Sequence, residues 1–221
     1  MPNPSRSKQK HARSEKTRLK LLEAGIALFS KKGYDGVSTR ELAAVADVTL
    51  SAIPYHFGSK KALYRAVIDL MDNDMKTVVI PAVMAAEKVA ALEQCTRRQK
   101  VVALQQLVSE HARAVLTTRP EWINLAIQQQ LKPELRTKSE QATGAALMKV
   151  TCRLVSALRD LPVDSSEVLL QSLTLYGRVA ILRMFGPTTL SIMGWRMYTP
   201  ENVQRVCSSI KEEIDRIFAS P

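Results

Sequence analysis

What most constrains this chain is where helix breakers are missing. Long stretches rich in alanine and leucine contain neither glycine nor proline, and aromatic residues are few; this favours an all-α fold over a sheet-rich one. At 221 residues the chain can bury a real core, as one large or two small domains. No run reaches the roughly 18 consecutive apolar residues of a membrane span. The basic N-terminus lacks the apolar stretch of a secretory signal. The expectation is a cytoplasmic protein without a membrane partner.

The breakers that do occur divide the chain. Residues 1 to 13, beginning MPNPSRSKQKHA, are polar and basic and read as a flexible arm. From about Ser14, Leu19, Leu22, Ile26 and Phe29 recur at helical spacing, and Gly33 after Lys31 and Lys32 is a stop signal. Ser38 or Thr39 can cap a short second helix with Leu42, Ala43 and Ala46 inside. Asp47, Val48 and Thr49 make a tight connection, Leu50 to Phe57 form a third short helix ending at Gly58, and Ser59 caps a fourth. Further helices are expected over Val78 to Gln94 with Pro81 in the first turn, Arg98 to Thr118, Pro120 to Leu131, Glu134 to Leu161, Asp164 to Phe185 and Pro200 to Phe218. Their starts carry recognisable caps: Asp164 with Glu167, and Thr199 before Pro200 and Glu201.

Charge is unevenly spread. Of a net +11, residues 1 to 65 carry thirteen Lys and Arg against five Asp and Glu, or +8, which leaves +3 for the rest. A basic N-terminal third is what binding to a phosphate backbone requires. Cys95, Cys152 and Cys207 sit within helical patterns and read as small buried hydrophobes. The histidines His11, His56 and His111 have no ligand spacing, so neither metal nor cofactor is expected. No nucleophile and base pattern, phosphate-cradling glycine loop or paired carboxylates point to catalysis.

Two short helices joined by a tight turn and braced by a first helix form a helix-turn-helix, whose second helix lies in the major groove of double-stranded DNA. The stretch Thr17 to Val67 adds a more specific signal. Leu28-Phe29, Lys32-Gly33-Tyr34, Ser38-Thr39-Arg40, Ile53-Pro54-Tyr55-His56-Phe57 and Ser59-Lys60 followed by Leu63-Tyr64 resemble the N-terminal domain of the tetracycline-repressor-like (TetR/AcrR) family.

The resemblance implies roles. Thr39 and Arg40 would meet phosphate and base edges, Arg being suited to guanine's paired acceptors. Thr49, Leu50, Ser51 and Ala52 would present the leading end of the recognition helix to the bases. Tyr55, His56 and Lys60 would hold phosphates, while Phe57 packs the domain. Two positions depart from the pattern: Asp47 stands where glycine is common, and Pro54 inside the recognition helix can distort its last turn.

The implied architecture is a DNA-binding domain over residues 14 to 72 and a larger helical effector-binding and dimerisation domain over 73 to 221. Trp122 to Pro133, and Gly194-Trp195 with Tyr198-Thr199-Pro200-Glu201, are similar to a branch of the family with a C-terminal domain of the YbiH/CecR type. Helix 164 to 185 is apolar nearly all round and must be buried twice. With the last helix it is expected to make a four-helix homodimer interface through Leu169, Leu173, Val179, Val206, Ile210 and Ile214. His111, Trp122, Gln129, Met148, Tyr176 and Arg178 are the candidates for lining a small-molecule effector pocket. The expected function is a repressor that leaves a palindromic operator when an effector binds.

Overall fold

The computed structural model describes residues 4–132, 135 and 138–218. Among them ten helices follow in order: α1 (Pro4–Lys32), α2 (Thr39–Val45), α3 (Ala52–Phe57), α4 (Lys60–Ala91), α5 (Arg97–Thr117), α6 (Pro120–Leu131), α7 (Lys138–Arg159), α8 (Ser166–Met184), α9 (Gly186–Ile192) and α10 (Pro200–Phe218). They form two compact units, the described residues of Met1–Met71 with Arg119–Glu140, and those of Asp72–Thr118 with Gln141–Pro221.

The first unit is built on α1. Its Leu21, Ile26 and Phe29 are buried with Leu42 of α2, Ile53 of α3, and Leu63, Tyr64, Val67 and Ile68 of α4. The Tyr64 ring meets Phe29 edge-on at 5.1 Å and Tyr34 at 5.3 Å, an arrangement that adds to the burial of three large rings. α1 ends at Gly33, whose φ of +70° suits glycine. A Cβ there would also come within 3.0 Å of Gln128 Oε1.

Gln128 belongs to α6, and this changes the domain boundaries expected from sequence. The segment Arg119–Glu140 belongs to the same compact unit as α1, α2, α3 and the start of α4. Trp122, Leu125 and Leu135 are buried in the same core as Phe29. Arg119 grips Glu23 of α1 through two hydrogen bonds of 3.1 and 3.0 Å, and Lys132 pairs with Asp35. An amphipathic helix announces its apolar face but not which core receives it.

The second unit is organised around α5. Val101, Leu104, Leu107, Val108 and Ala112 of α5 are buried with Val203, Val206, Cys207, Ile210, Ile214 and Phe218 of α10. Arg97 donates to the Phe218 and Leu158 carbonyls at 2.8 and 3.0 Å, satisfying the last carbonyls of α10 and α7. A capping box of Thr96 and Gln99 starts α5. α8 buries Val168, Ser172, Leu175 and Val179. At Phe185 the chain turns by 93° into α9, and the Tyr198 hydroxyl donates to the Leu182 carbonyl at 2.5 Å to hold that bend.

Three further expectations are corrected. Residues 4–13 are not an unstructured arm but the first turns of α1, because only Pro4 interrupts the sequence there and proline is tolerated at a helix start. α4 runs unbroken through Pro81; burial of Val79 and Val83 on either side offsets the loss of one backbone donor. The cap of α8 is Ser165, whose hydroxyl accepts from Val168 N at 3.3 Å, and not Asp164. α9 had no separate expectation, since its seven residues are too few for a period to show.

Candidate nucleic-acid interface and effector site

The helix-turn-helix is assembled by local rules. Ser38 caps α2, its hydroxyl accepting from Glu41 N at 3.1 Å, and Lys32 reaches Glu41 at 2.5 Å. That hydrogen bond from Lys32 is the main reason the Glu41 carboxyl is held below its ordinary pKa. The turn closes with Val48 N on the Ala43 carbonyl at 3.0 Å and Asp47 N on the Ala44 carbonyl at 3.1 Å, the paired bonds of a left-handed helix ending. Asp47 occupies the glycine position at φ 51°, and Lys20 Nζ secures its carboxylate at 3.0 Å. The Lys20 hydrogen bond also lowers the Asp47 pKa.

α3 begins at Ala52 and not at Leu50. Pro54 therefore lies in the first turn of α3, where a missing backbone N–H costs little. The last turn is intact, with Gly58 N on the Pro54 carbonyl at 3.0 Å, so the expected distortion is absent. Phe57 is half-buried against the first core, as expected.

The expected DNA contacts all lie on this one unit. Arg40, Thr49, Leu50, Ser51 and Tyr55 are exposed, Tyr55 to 75%. Thr39, Ala52 and His56 are half-buried, and the Tyr55 and His56 rings meet edge-on at 4.9 Å. The Thr49 and Ser51 hydroxyls are 3.0 Å apart. A tyrosine left three-quarters exposed on a six-residue helix has nothing in its own chain to cover it, which fits a surface awaiting a partner.

Lys60 is placed differently from the expectation of a free phosphate anchor. Its ammonium lies over the Tyr34 ring, 4.2 Å from the centroid, and partial burial lowers its pKa. The neighbouring Lys61 is exposed at the same helix start. Sequence reasoning also passed over Val45, 56% exposed at the end of α2; only its position beside the turn distinguishes it from core valines.

The six candidate effector residues do not form one site. Trp122 and Gln129 are buried in the first unit. Arg178 pairs with Glu213 on the flank of the second. The remaining three, His111, Met148 and Tyr176, belong to the core of the second unit. The His111 ring meets Tyr176 edge-on at 4.9 Å, and the Tyr176 hydroxyl is 2.6 Å from Thr151 Oγ1. Met148 packs at the edge of the same core. Burial lowers the His111 pKa to about 4 and raises that of Tyr176 well above its ordinary value. Both rings are neutral at physiological pH.

The expected dimer residues also separate. Val179 of α8 and Val206, Ile210 and Ile214 of α10 are buried within the chain's own core; the single apolar stripe of α10 is already covered by α5. Leu169 and Leu173 are exposed, together with Leu170, Ile181, Met184 and Phe185 of the same region. α8, apolar on more than one face, is thus buried once and bare once. Among the described residues no single helix is long and apolar enough to cross a membrane, and no group of three metal-ligating side chains occurs.

Comparison with known proteins bears on both halves of the chain. Residues 21–67 match the family described as bacterial regulatory proteins, tetR family. Residues 100–219 match the C-terminal domain of the HTH-type transcriptional dual regulator CecR. The dual regulator CecR of Shigella flexneri is 26% identical over 213 residues, covering 93% of each chain. Among solved structures, a TetR-like transcriptional regulator from Rhodococcus sp. RHA1 aligns with a TM-score of 0.60 at 16% identity, covering 93% of this chain and 97% of that one. AibR, solved in complex with isovaleryl coenzyme A and operator DNA, aligns with a TM-score of 0.58 at 13% identity, covering 91% and 98%.

Proposed function

We propose, from the premise that this chain belongs to the TetR family of bacterial regulatory proteins and carries its CecR-type C-terminal domain, how a regulator of this kind reads its operator and senses its effector. The protein is a DNA-binding transcriptional regulator and not an enzyme. Regulators of this family bind operator DNA and effector ligands and act as dimers.

Arg40 and the leading end of α3, Thr49 to Ala52, read base edges. Leu50 and Ala52 offer methyl contacts to thymine, and Arg40 offers a bidentate donor to guanine. Tyr55, His56 and the start of α4 hold phosphates and fix register. Lys61 takes the ionic part first assigned to Lys60, whose charge is turned back onto Tyr34. Two copies joined through the bare face of α8 and α9 present two recognition helices to a palindromic site. The second unit binds a small effector at the His111 and Tyr176 rings and favours a conformation with the recognition helices misplaced, so that repression is relieved. The cytoplasm, where the chromosome lies, is the compartment this reading implies.

The observation that carries the reading is that Tyr55 of α3 and Arg40 of α2 are both exposed on a short helix pair within the basic third of the chain. The test is binding to genomic fragments that include the chain's own promoter, repeated over a salt series. A palindromic preference is expected, with log affinity falling by about 0.9 per phosphate contact for each unit of log salt. Arg40→Ala should lower the ratio of specific to nonspecific binding, and Lys61→Ala should weaken all sequences alike. Absence of any sequence preference at physiological salt refutes the reading.

A further inference from the structure

The core of the second unit holds polar atoms that a purely structural core would not keep. His111 Nδ1 and Ser172 Oγ are buried without a hydrogen-bond partner, a condition that costs stability and calls for a cause. Ser172 lies one turn before Tyr176 on the same face of α8, and Tyr176 meets the His111 ring. Ser109, likewise buried and unpartnered, is two residues from His111 and so turns to a different side of α5.

The hydroxyls around Tyr176 can be assigned. Thr151 Oγ1 donates its one proton to the Leu147 carbonyl at 2.8 Å, so the 2.6 Å contact with Tyr176 has the phenol donating. The lone pairs of the Tyr176 oxygen are left to accept. One small region thus offers an acceptor at Tyr176 and two uncommitted groups at Ser172 and His111. Val150 and Leu154 of α7 and Val168 and Val179 of α8 are buried in the same core. The side chains that meet here, His111, Tyr176 and Thr151, carry no charge at neutral pH. Met148, unbranched and adaptable, packs against the edge of this core.

We propose that this cluster selects an electrically neutral effector, an apolar molecule bearing a hydroxyl that exchanges hydrogen bonds with Tyr176, His111 and Ser172. The proposal rests on the effector-responsive reading above and names the class of ligand. A carboxylate or ammonium entering the cluster loses its hydration and meets no opposite charge, which disfavours it steeply. A hydroxyl satisfies groups that are otherwise unpaired, and truncating those groups forfeits that gain.

Three isosteric probes separate the possibilities: 4-phenylbutanol, 4-phenylbutanoate and 4-phenylbutylammonium, titrated calorimetrically into the full-length protein at neutral pH. The alcohol is expected to bind at least about tenfold more tightly than either ion. His111→Phe and Ser172→Ala should each weaken the alcohol by about fivefold or more while leaving thermal stability equal or higher, because an unpaired buried group has been removed. Equal or tighter binding of either ion overturns the proposal, as does failure of all three to bind, or affinity unchanged in both variants. Operator release by the alcohol is measured separately on a promoter fragment. Calorimetric binding without release leaves the ligand class standing and refutes the effector reading alone.

Discussion

Leu125→Ala tests the assignment of α6 to the DNA-binding unit. Leu125 is wholly buried, and its cluster contains Trp122 and the α1, α2 and α4 residues around Phe29. Truncating a buried leucine removes the transfer free energy of its methyl groups and leaves a cavity, at a cost of about 3 kcal/mol. With a urea dependence of about 1.5 kcal/mol per M for a unit of this size, the midpoint should fall by about 2 M. The assay is unusually direct because the chain has two tryptophans, Trp122 in the first unit and Trp195 in the second. In a Trp195→Phe background, Trp122 fluorescence reports the first unit alone. The Leu125→Ala shift should appear there, whereas Leu107→Ala, buried in the second unit's core, should shift the Trp195 signal in a Trp122→Phe background. A Trp122 transition displaced by less than about 0.5 kcal/mol would refute the packing of α6 into the DNA-binding core.

Three other outcomes follow from the same structure. Gly33→Ala places a Cβ at φ +70° and within 3.0 Å of Gln128, so it should destabilise the first unit by about 2 kcal/mol in the same fluorescence assay; an unchanged midpoint would show that the helix end relaxes freely. His111, with its pKa lowered from 6.5 to about 4, resists protonation when folded. Its contribution is present above the unfolded pKa and is lost as pH falls from about 6.5 towards 4. That is up to about 2 kcal/mol between neutral pH and pH 5, and His111→Phe should flatten this part of the pH–stability curve. Leu173→Glu, on the bare face of α8, should yield monomers by sedimentation and reduce operator affinity without lowering the melting temperature of the monomeric fold; a dimer of wild-type strength would move the interface elsewhere.

The helices were legible because their signals are local. Ser38, Ser59 and Thr199 cap the helices they precede, and α6 and α10 match the spans expected from their prolines and periodicity. Asp47 could be recognised as a residue able to replace glycine in the turn, although its clasp by Lys20 joins residues 27 apart and left no sequence trace. Pro54 and Pro81 show where local reading stops. The first proved harmless because α3 starts later, the second because α4 is long enough to absorb it.

The sequence by itself determined that the chain is helical and where most helices begin and end, since capping and periodicity act within a few residues; it was the resemblance of Thr17 to Val67 to the TetR family that singled out the short pair as a helix-turn-helix. Tertiary structure decided which apolar stripe meets which partner. The stripe of α10 looks as fit for a second copy as for its own α5, and the face of Trp122 and Leu125 as fit for an effector pocket as for the DNA-binding core. Burial energy depends on the area removed from water and not on which surface removes it, so only the packed fold could assign α10 inward, α6 to the DNA-binding unit, and one of the two apolar faces of α8 to the outside.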